Sequence, residues 1–207
     1  MMSILGKNVK GTINIANGWS SSFILTKVVA TEYGIISQIS ADLFWGNGGK
    51  SAKGVIFSHD ALNDRPLALL NDGVSIPVVL DQFNDFPGLA YTKTPGEILW
   101  IGVYCENAPY CSGEYMTGYK TMVWTQGTYP TVPEIFAPVF APSTTELEAS
   151  IYATYTPITP PTPPPTDGED GGLINAWNSL EFWQKGSIFL LGIASITAVV
   201  YVVTKKK

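Results

Sequence analysis

Nineteen consecutive residues without a charge, Gly186–Thr204 (GSIFLLGIASITAVVYVVT), constrain this chain more than any other feature. A helix needs about 20 apolar residues to cross a hydrocarbon layer ~30 Å thick. The segment has that length, with Lys185 before it and Lys205, Lys206 and Lys207 after it. A helix buried in a protein core is the alternative. The flanking lysines favour a transmembrane helix over 186–204 with a basic tail over 205–207, held on the interior side of the membrane by its charge. Gly192, Ala194, Ser195 and Ala198 would let a neighbouring helix approach closely.

Upstream, residues 173–185 (LINAWNSLEFWQK) place Leu173, Trp177 and Leu180 at i, i+4 and i+7, on one helical face. Trp177, Phe182 and Trp183 are the amphipathic aromatics of a headgroup belt, so an interfacial helix leading into the span is expected. Packing against a neighbouring subunit is the other use for such a face. Residues 156–172 (TPITPPTPPPTDGEDGG) form a linker with six prolines between Pro157 and Pro165, then an acidic, glycine-rich hinge. Proline fixes φ and favours an extended polyproline II rod, a spacer of roughly 30 Å over ten residues. A proline-rich ligand for a signalling domain is the competing reading. The first residues, MMSILGKNVKGTINIANG, lack an apolar core of signal-peptide length. The expectation is therefore insertion through the tail, or residence in a virion membrane, where the lysines would face the interior.

Residues 1–155 are left for one domain. Only 14% of the chain is charged and the net charge is −5, with no basic patch before residue 150, which disfavours nucleic-acid binding by this part. Short period-2 segments alternate with turn signals about every 8–12 residues, the pattern of an all-β, two-sheet β-sandwich of jelly-roll type with eight or nine strands. Ile39, Ala41, Leu43 and Trp45 alternate with Gln38, Ser40 and Asp42, and Gly46-Asn47-Gly48-Gly49 makes a turn before a strand through Val55 and Phe57. Val74, Ile76, Val78 and Leu80 alternate around Pro77, which marks an edge strand. Ile98–Tyr104 is apolar at every side-chain position, as a central strand covered on both faces would be. Tyr115–Trp124 and Ile151–Tyr155 complete the set. The proline-punctuated Tyr129–Pro142 (YPTVPEIFAPVFAP) cannot be a regular central strand and is expected as a strap across the sandwich or a subunit contact.

Cys105 and Cys111, with five residues between them, are placed for a local disulfide; two free thiols are the alternative. Two cysteines and one histidine do not suggest zinc, and no cofactor is expected. His59, Asp60, Asn63, Asp64 and Arg65 in SHDALNDRP form either a calcium or sugar site or a polar turn whose side chains cap backbone groups. Asp81, Asn84 and Asp85 in DQFNDFPG pose the same choice. Tyr110, Tyr115, Tyr119 and Trp124 cluster near the cysteines and are candidates for a sugar-stacking or subunit-contact surface, against ordinary core packing. No nucleophile elbow, phosphate loop or HExxH motif occurs, so no enzyme is expected.

Four segments in succession carry a resemblance: YGIISQISADLFWG, KGVIFSHDALNDRPLALL, TPGEILWIGVYCE and LEASIYATYTP. Their order resembles a lectin-like, carbohydrate-binding-like β-sandwich of archaeal surface proteins and archaeal virus structural proteins of turret, tail or spike type. Phe57 and Arg65-Pro66 depart from the pattern, where tyrosine and Gly-Pro are usual. The resemblance implies a binding or architectural role without fixing a ligand. Combined with the anchor, it implies a virion structural protein that contacts lipid membrane, copies of itself, other virion proteins and host surface glycan. A cell-surface glycan-binding adhesin on a stalk is the rival expectation.

Overall fold

The computed structural model describes residues 2–16, 21–44, 50–107, 110–137 and 143–159. Within them lie fourteen strands and no helix, arranged as two antiparallel sheets packed into a β-sandwich. The first sheet contains β1 (Ser3–Gly6), β2 (Ile13–Ala16), β4 (Gly34–Phe44), β8 (Gln82–Lys93), β10 (Tyr110–Tyr115), β13 (Leu147–Ala149) and β14 (Ile151–Pro157). The second contains β3 (Ser22–Val29), β5 (Ser51–Asp60), β6 (Arg65–Asp72), β7 (Ile76–Pro77), β9 (Ile98–Cys105), β11 (Thr121–Thr125) and β12 (Ser143–Thr145). Most connections cross from one sheet to the other.

Strand alternation explains why the chain is so apolar. In β9, Leu99, Ile101 and Val103 enter the core between the sheets, where they join Ile24, Ile56, Ile39, Ala41, Leu43, Phe86 and Ala153. The intervening Trp100 and Tyr104 point the other way, into a second core on the outer face of the second sheet, with Phe23, Leu25, Phe57, Met122 and Trp124. Two cores on opposite faces of one sheet need apolar residues at every position, and that is what ILWIGVY supplies.

The second core is roofed by the proline-rich segment, which is a strap. Val132 and Phe136 are buried in it, and the Phe136 ring stands edge-on to Trp124 at 4.3 Å. Prolines cannot extend a ladder, yet the strap still adds rungs to β6: Leu69 N–H donates to the Glu134 carbonyl (2.8 Å) and Phe136 N–H to that of Leu67 (2.7 Å). This covers part of a sheet edge that would otherwise be open to pairing with another chain. The remainder of the expected strap, 138–142, lies outside the described residues.

The first sheet forks. Strands β4 and β10 pair at Phe44↔Tyr110 and Leu43↔Cys111, then separate. The chain from Leu147 fills the gap, running first along β10 and, after a bend at Ser150, along β4 as β14. At the apex side chains supplement the ladder: Ser112 Oγ donates to Asp42 Oδ2 (2.5 Å), and Gly11 N–H donates to Ser150 Oγ (2.9 Å). A Cβ on Gly11 would stand 2.1 Å from the Gly113 carbonyl oxygen, so only glycine permits this crossing.

Three expectations need correction. The segment Tyr115–Trp124 is not one strand: it breaks over residues 116–120, where Gly118 takes φ +88°, and its halves belong to different sheets. The alternation around Pro77 condenses to a two-residue strand at the edge of β5. Strand β14 continues through Pro157, opposite Gly34, so the first residues of the expected linker belong to the sheet. Met1–Pro160 form one compact unit. Trp45, the Gly46–Gly49 turn and all positions from 160 onward lie outside the described residues, including Trp177, Phe182, Trp183, Lys185 and Lys205–Lys207. Among the described residues, no helix is long and apolar enough to cross a membrane.

Candidate functional site

The four aromatics singled out by sequence do not come together. Trp124 is buried and stacked on Phe23, with ring centroids 4.5 Å apart and planes 11° from parallel, so it belongs to the roofed core rather than to a surface. Tyr115 and Tyr119 are 74% and 41% exposed on either side of the turn at 117–118. Tyr110 is half-buried and leans on Phe44 at 6.0 Å.

The cysteines are also differently placed from the local disulfide expected. Cys105 ends β9 in the second sheet and Cys111 follows the first residue of β10 in the first; both are free, buried thiols facing the inner core. Packed sheets lie ~10 Å apart, whereas a disulfide tolerates a Cα separation of roughly 4.4–6.8 Å. Burial pushes both thiols far above the ordinary range, which leaves little thiolate for reaction or metal binding.

In SHDALNDRP the acidic side chains are spent on the β5–β6 turn itself. Asp60 Oδ1 accepts from the N–H groups of Leu62 (3.1 Å) and Asn63 (3.3 Å), while Oδ2 accepts from Asn63 Nδ2 (2.7 Å). Asp64, at φ +47°, accepts from Lys27 Nζ and Lys120 Nζ at 2.9 Å each, tying the turn to β3 and to the entry of β11. Asn84 has a similar local role: it accepts from Val79 N–H (2.7 Å) and donates to the Val79 and Gln82 carbonyls, with Asp81 at φ +62°. Among the described residues, no group of three His, Cys, Asp or Glu side chains could hold a metal ion.

What sequence reading missed lies on the outer face of the first sheet. Register sets Tyr152 opposite Ser40 and Ser40 opposite Asp85; one row along, Asp42 stands opposite Phe83. Phe83 and Tyr152 meet at 5.5 Å, and Phe44 with Tyr110 forms a second aromatic pair at the next row. The floor between them is polar. Ser40 Oγ donates to Asp85 Oδ1 (2.6 Å), and Gln38 Nε2 donates to Ser40 Oγ (3.1 Å). Asp42 is fully buried, with Lys10 Nζ 3.7 Å from Oδ2 and with Oδ1 lacking a hydrogen-bond partner. A buried carboxylate oxygen without a donor costs free energy.

The partly exposed Phe83 and Tyr152 rings beside Asp85 and Gln38 can take up a flat ligand face and its hydroxyl donors, whereas Ser40 and Asp42 are fully buried. No single run of sequence contains this arrangement, because its members come from β4, β8, β10 and β14. The local signals were the alternation of Gln38, Ser40 and Asp42, which reads as an ordinary solvent face, and Asp85 and Tyr110, which the sequence offered in two separate clusters. A scan against protein-family models finds no matching family, and a search of curated proteins finds no match.

Proposed function

We propose that this chain is a membrane-anchored virion structural protein of an archaeal virus, presenting its β-sandwich for assembly or host attachment. The observation that carries this reading is the succession of three physically distinct parts. A sandwich of crossing, jelly-roll-like connections is followed by a proline-rich spacer and then by nineteen uncharged residues ending in lysines. In this reading the sandwich offers faces and edges to neighbours, while residues 186–204 sit in the virion or host membrane. Native mass spectrometry of the full chain in detergent tests the proposal. A defined ring-like oligomer is expected, and a strict monomer, or partition of the chain into the aqueous phase without detergent, would sink it.

A second reading, a stalked glycan-binding adhesin, is favoured by one observation: the aromatic-walled, carboxylate-floored face of the first sheet around Phe83, Tyr152, Ser40 and Asp85. A glycan array probed with the full chain in detergent separates the two. Specific binding lost in Phe83→Ala and Tyr152→Ala supports the adhesin, and no binding by the wild type removes it.

A further inference from the structure

Lys7 stands directly after β1 and reaches the other arm of the forked sheet. Its Nζ lies 2.8 Å from Glu114 Oε2 in β10 and 3.8 Å from Glu148 Oε2 in β13. The two glutamates are cross-strand partners, directly opposite one another in the β10–β13 register. The Lys7 and Glu148 side chains are only 11% and 12% exposed, while Glu114 is 39% exposed. The lysine is fixed at its root. Its N–H donates to the Ile151 carbonyl (2.9 Å), and the preceding Gly6, at φ +104°, sits so close that a Cβ there would be 2.5 Å from the same oxygen.

Like charges directly opposite on neighbouring strands repel, and taking an ion out of water carries its own penalty. One ammonium cannot balance two carboxylates. Burial holds the Glu148 carboxyl above its usual range against the pull of Lys7, and Glu114 pushes the same way as burial. An amine, an acid and a second carboxylate are thus gathered in a largely closed site, with the reach of an intramolecular reaction. We propose that Lys7 and Glu148 are joined by an amide bond that the folded chain forms by itself, with Glu114 as the general base.

The step needs no co-reactant. Glu114 Oε2, already hydrogen-bonded to Nζ, takes a proton from the Lys7 ammonium. The freed lone pair attacks Cδ of the protonated Glu148 carboxyl, the C–N bond forms, and the C–OH bond breaks. Of the three ammonium protons, one stays on the amide nitrogen and one leaves with the Glu148 hydroxyl as water. The third remains on Glu114 until solvent takes it. Two largely buried charges become one neutral amide, and the charge that is left belongs to Glu114, the group most open to water. The bond encloses the 140 residues between its ends (148 − 7 − 1) and resists reductants, in a sandwich whose two cysteines are both free.

The test is the intact mass of the full chain purified in detergent micelles. Wild type should be one water lighter than its sequence requires, and tandem mass spectrometry of a digest should join the peptide carrying Lys7 to the one carrying Glu148. Lys7→Arg keeps the charge and cannot form this amide, so its mass should show no such loss. Glu114→Gln keeps both reacting groups and removes the base. Newly synthesised chains of that variant should lose the water about a hundredfold more slowly than wild type. A wild type at full mass, its three side chains an unreacted ion cluster, overturns the proposal. So does a water loss that persists in Lys7→Arg or maps to another pair of residues. A Glu114→Gln chain that closes as fast as wild type overturns the role of Glu114. Should either variant fail to fold, the linked peptide in wild type still decides.

Discussion

Replacing Phe136 with alanine should cost about 3 kcal/mol, because the strap is part of a core rather than a surface loop. The ring is 95% withdrawn from solvent, stands edge-on to Trp124 at 4.3 Å and carries the Arg65 guanidinium at 5.9 Å. Phe→Ala in a closed core costs roughly 3–5 kcal/mol. The edge-to-face pair contributes about 0.5–1.5 kcal/mol of that, and the cation–π contact about 0.5–1 kcal/mol. A strap can settle partly into the space left behind, which places this site at the lower end. For a domain of this size, about 3 kcal/mol corresponds to a fall in Tm of roughly 6–12 °C. The assay is urea unfolding of the full chain in mild detergent followed by tryptophan fluorescence, with Ile135→Ala as the comparison. Ile135 is 63% exposed on the same strap and should change stability by less than about 0.5 kcal/mol. Equal losses for the two variants, or a Phe136→Ala loss below about 1 kcal/mol, would refute the idea that this segment closes a second core.

Three further outcomes are expected. Iodoacetamide at pH 8 should label neither Cys105 nor Cys111 in the folded chain and both in urea, read by intact mass; rapid labelling of the native protein would contradict their burial. Asp64→Asn should be less stable than wild type, and the gap should depend on pH in a defined direction. The Asp64 carboxyl is held below its ordinary value of 3.8, so its contribution is present above that pH and is lost as pH falls through the lower folded value. The gap between the two unfolding curves should therefore hold from pH 7 down to about pH 4 and close only as pH falls further; a constant gap would show that charge is not the cause. Gly11→Ala should destabilise the fork of the first sheet by about 1–3 kcal/mol, since its methyl group would need the space of the Gly113 carbonyl; a neutral result in thermal unfolding would show that the crossing loop moves freely.

The parts of the fold legible in sequence were those whose cause is local. Ile98–Tyr104 announced a strand covered on both faces because every side chain in it is apolar, and Tyr129–Pro142 announced a non-ladder segment because its prolines lack N–H groups. Tyr115–Trp124 misled because its apolar residues are spaced like a strand, while a positive φ at Gly118 sends the chain to the other sheet. The cysteines misled for a related reason: five intervening residues suggest a small loop, but Cys105 and Cys111 belong to different sheets. The candidate face was the least legible. Phe83 and Tyr152 are 69 positions apart (152 − 83) and meet only because β4 lies between their strands in a particular register. Composition along the chain carries no trace of that pairing.

Because Ser3 pairs with Tyr155, the opening and closing strands of the sandwich are neighbours. A nascent chain therefore cannot finish its first sheet until synthesis has passed residue 157, and until then β4 lacks one of its two long partners. Twenty-eight residues (186 − 157 − 1) separate Pro157 from Gly186. At about 5–20 residues per second, roughly 1–6 s pass between the addition of Pro157 and that of Gly186. The strand that completes the first sheet is thus the last of the sandwich to be made, and until it arrives both β1 and one side of β4 wait for their partner.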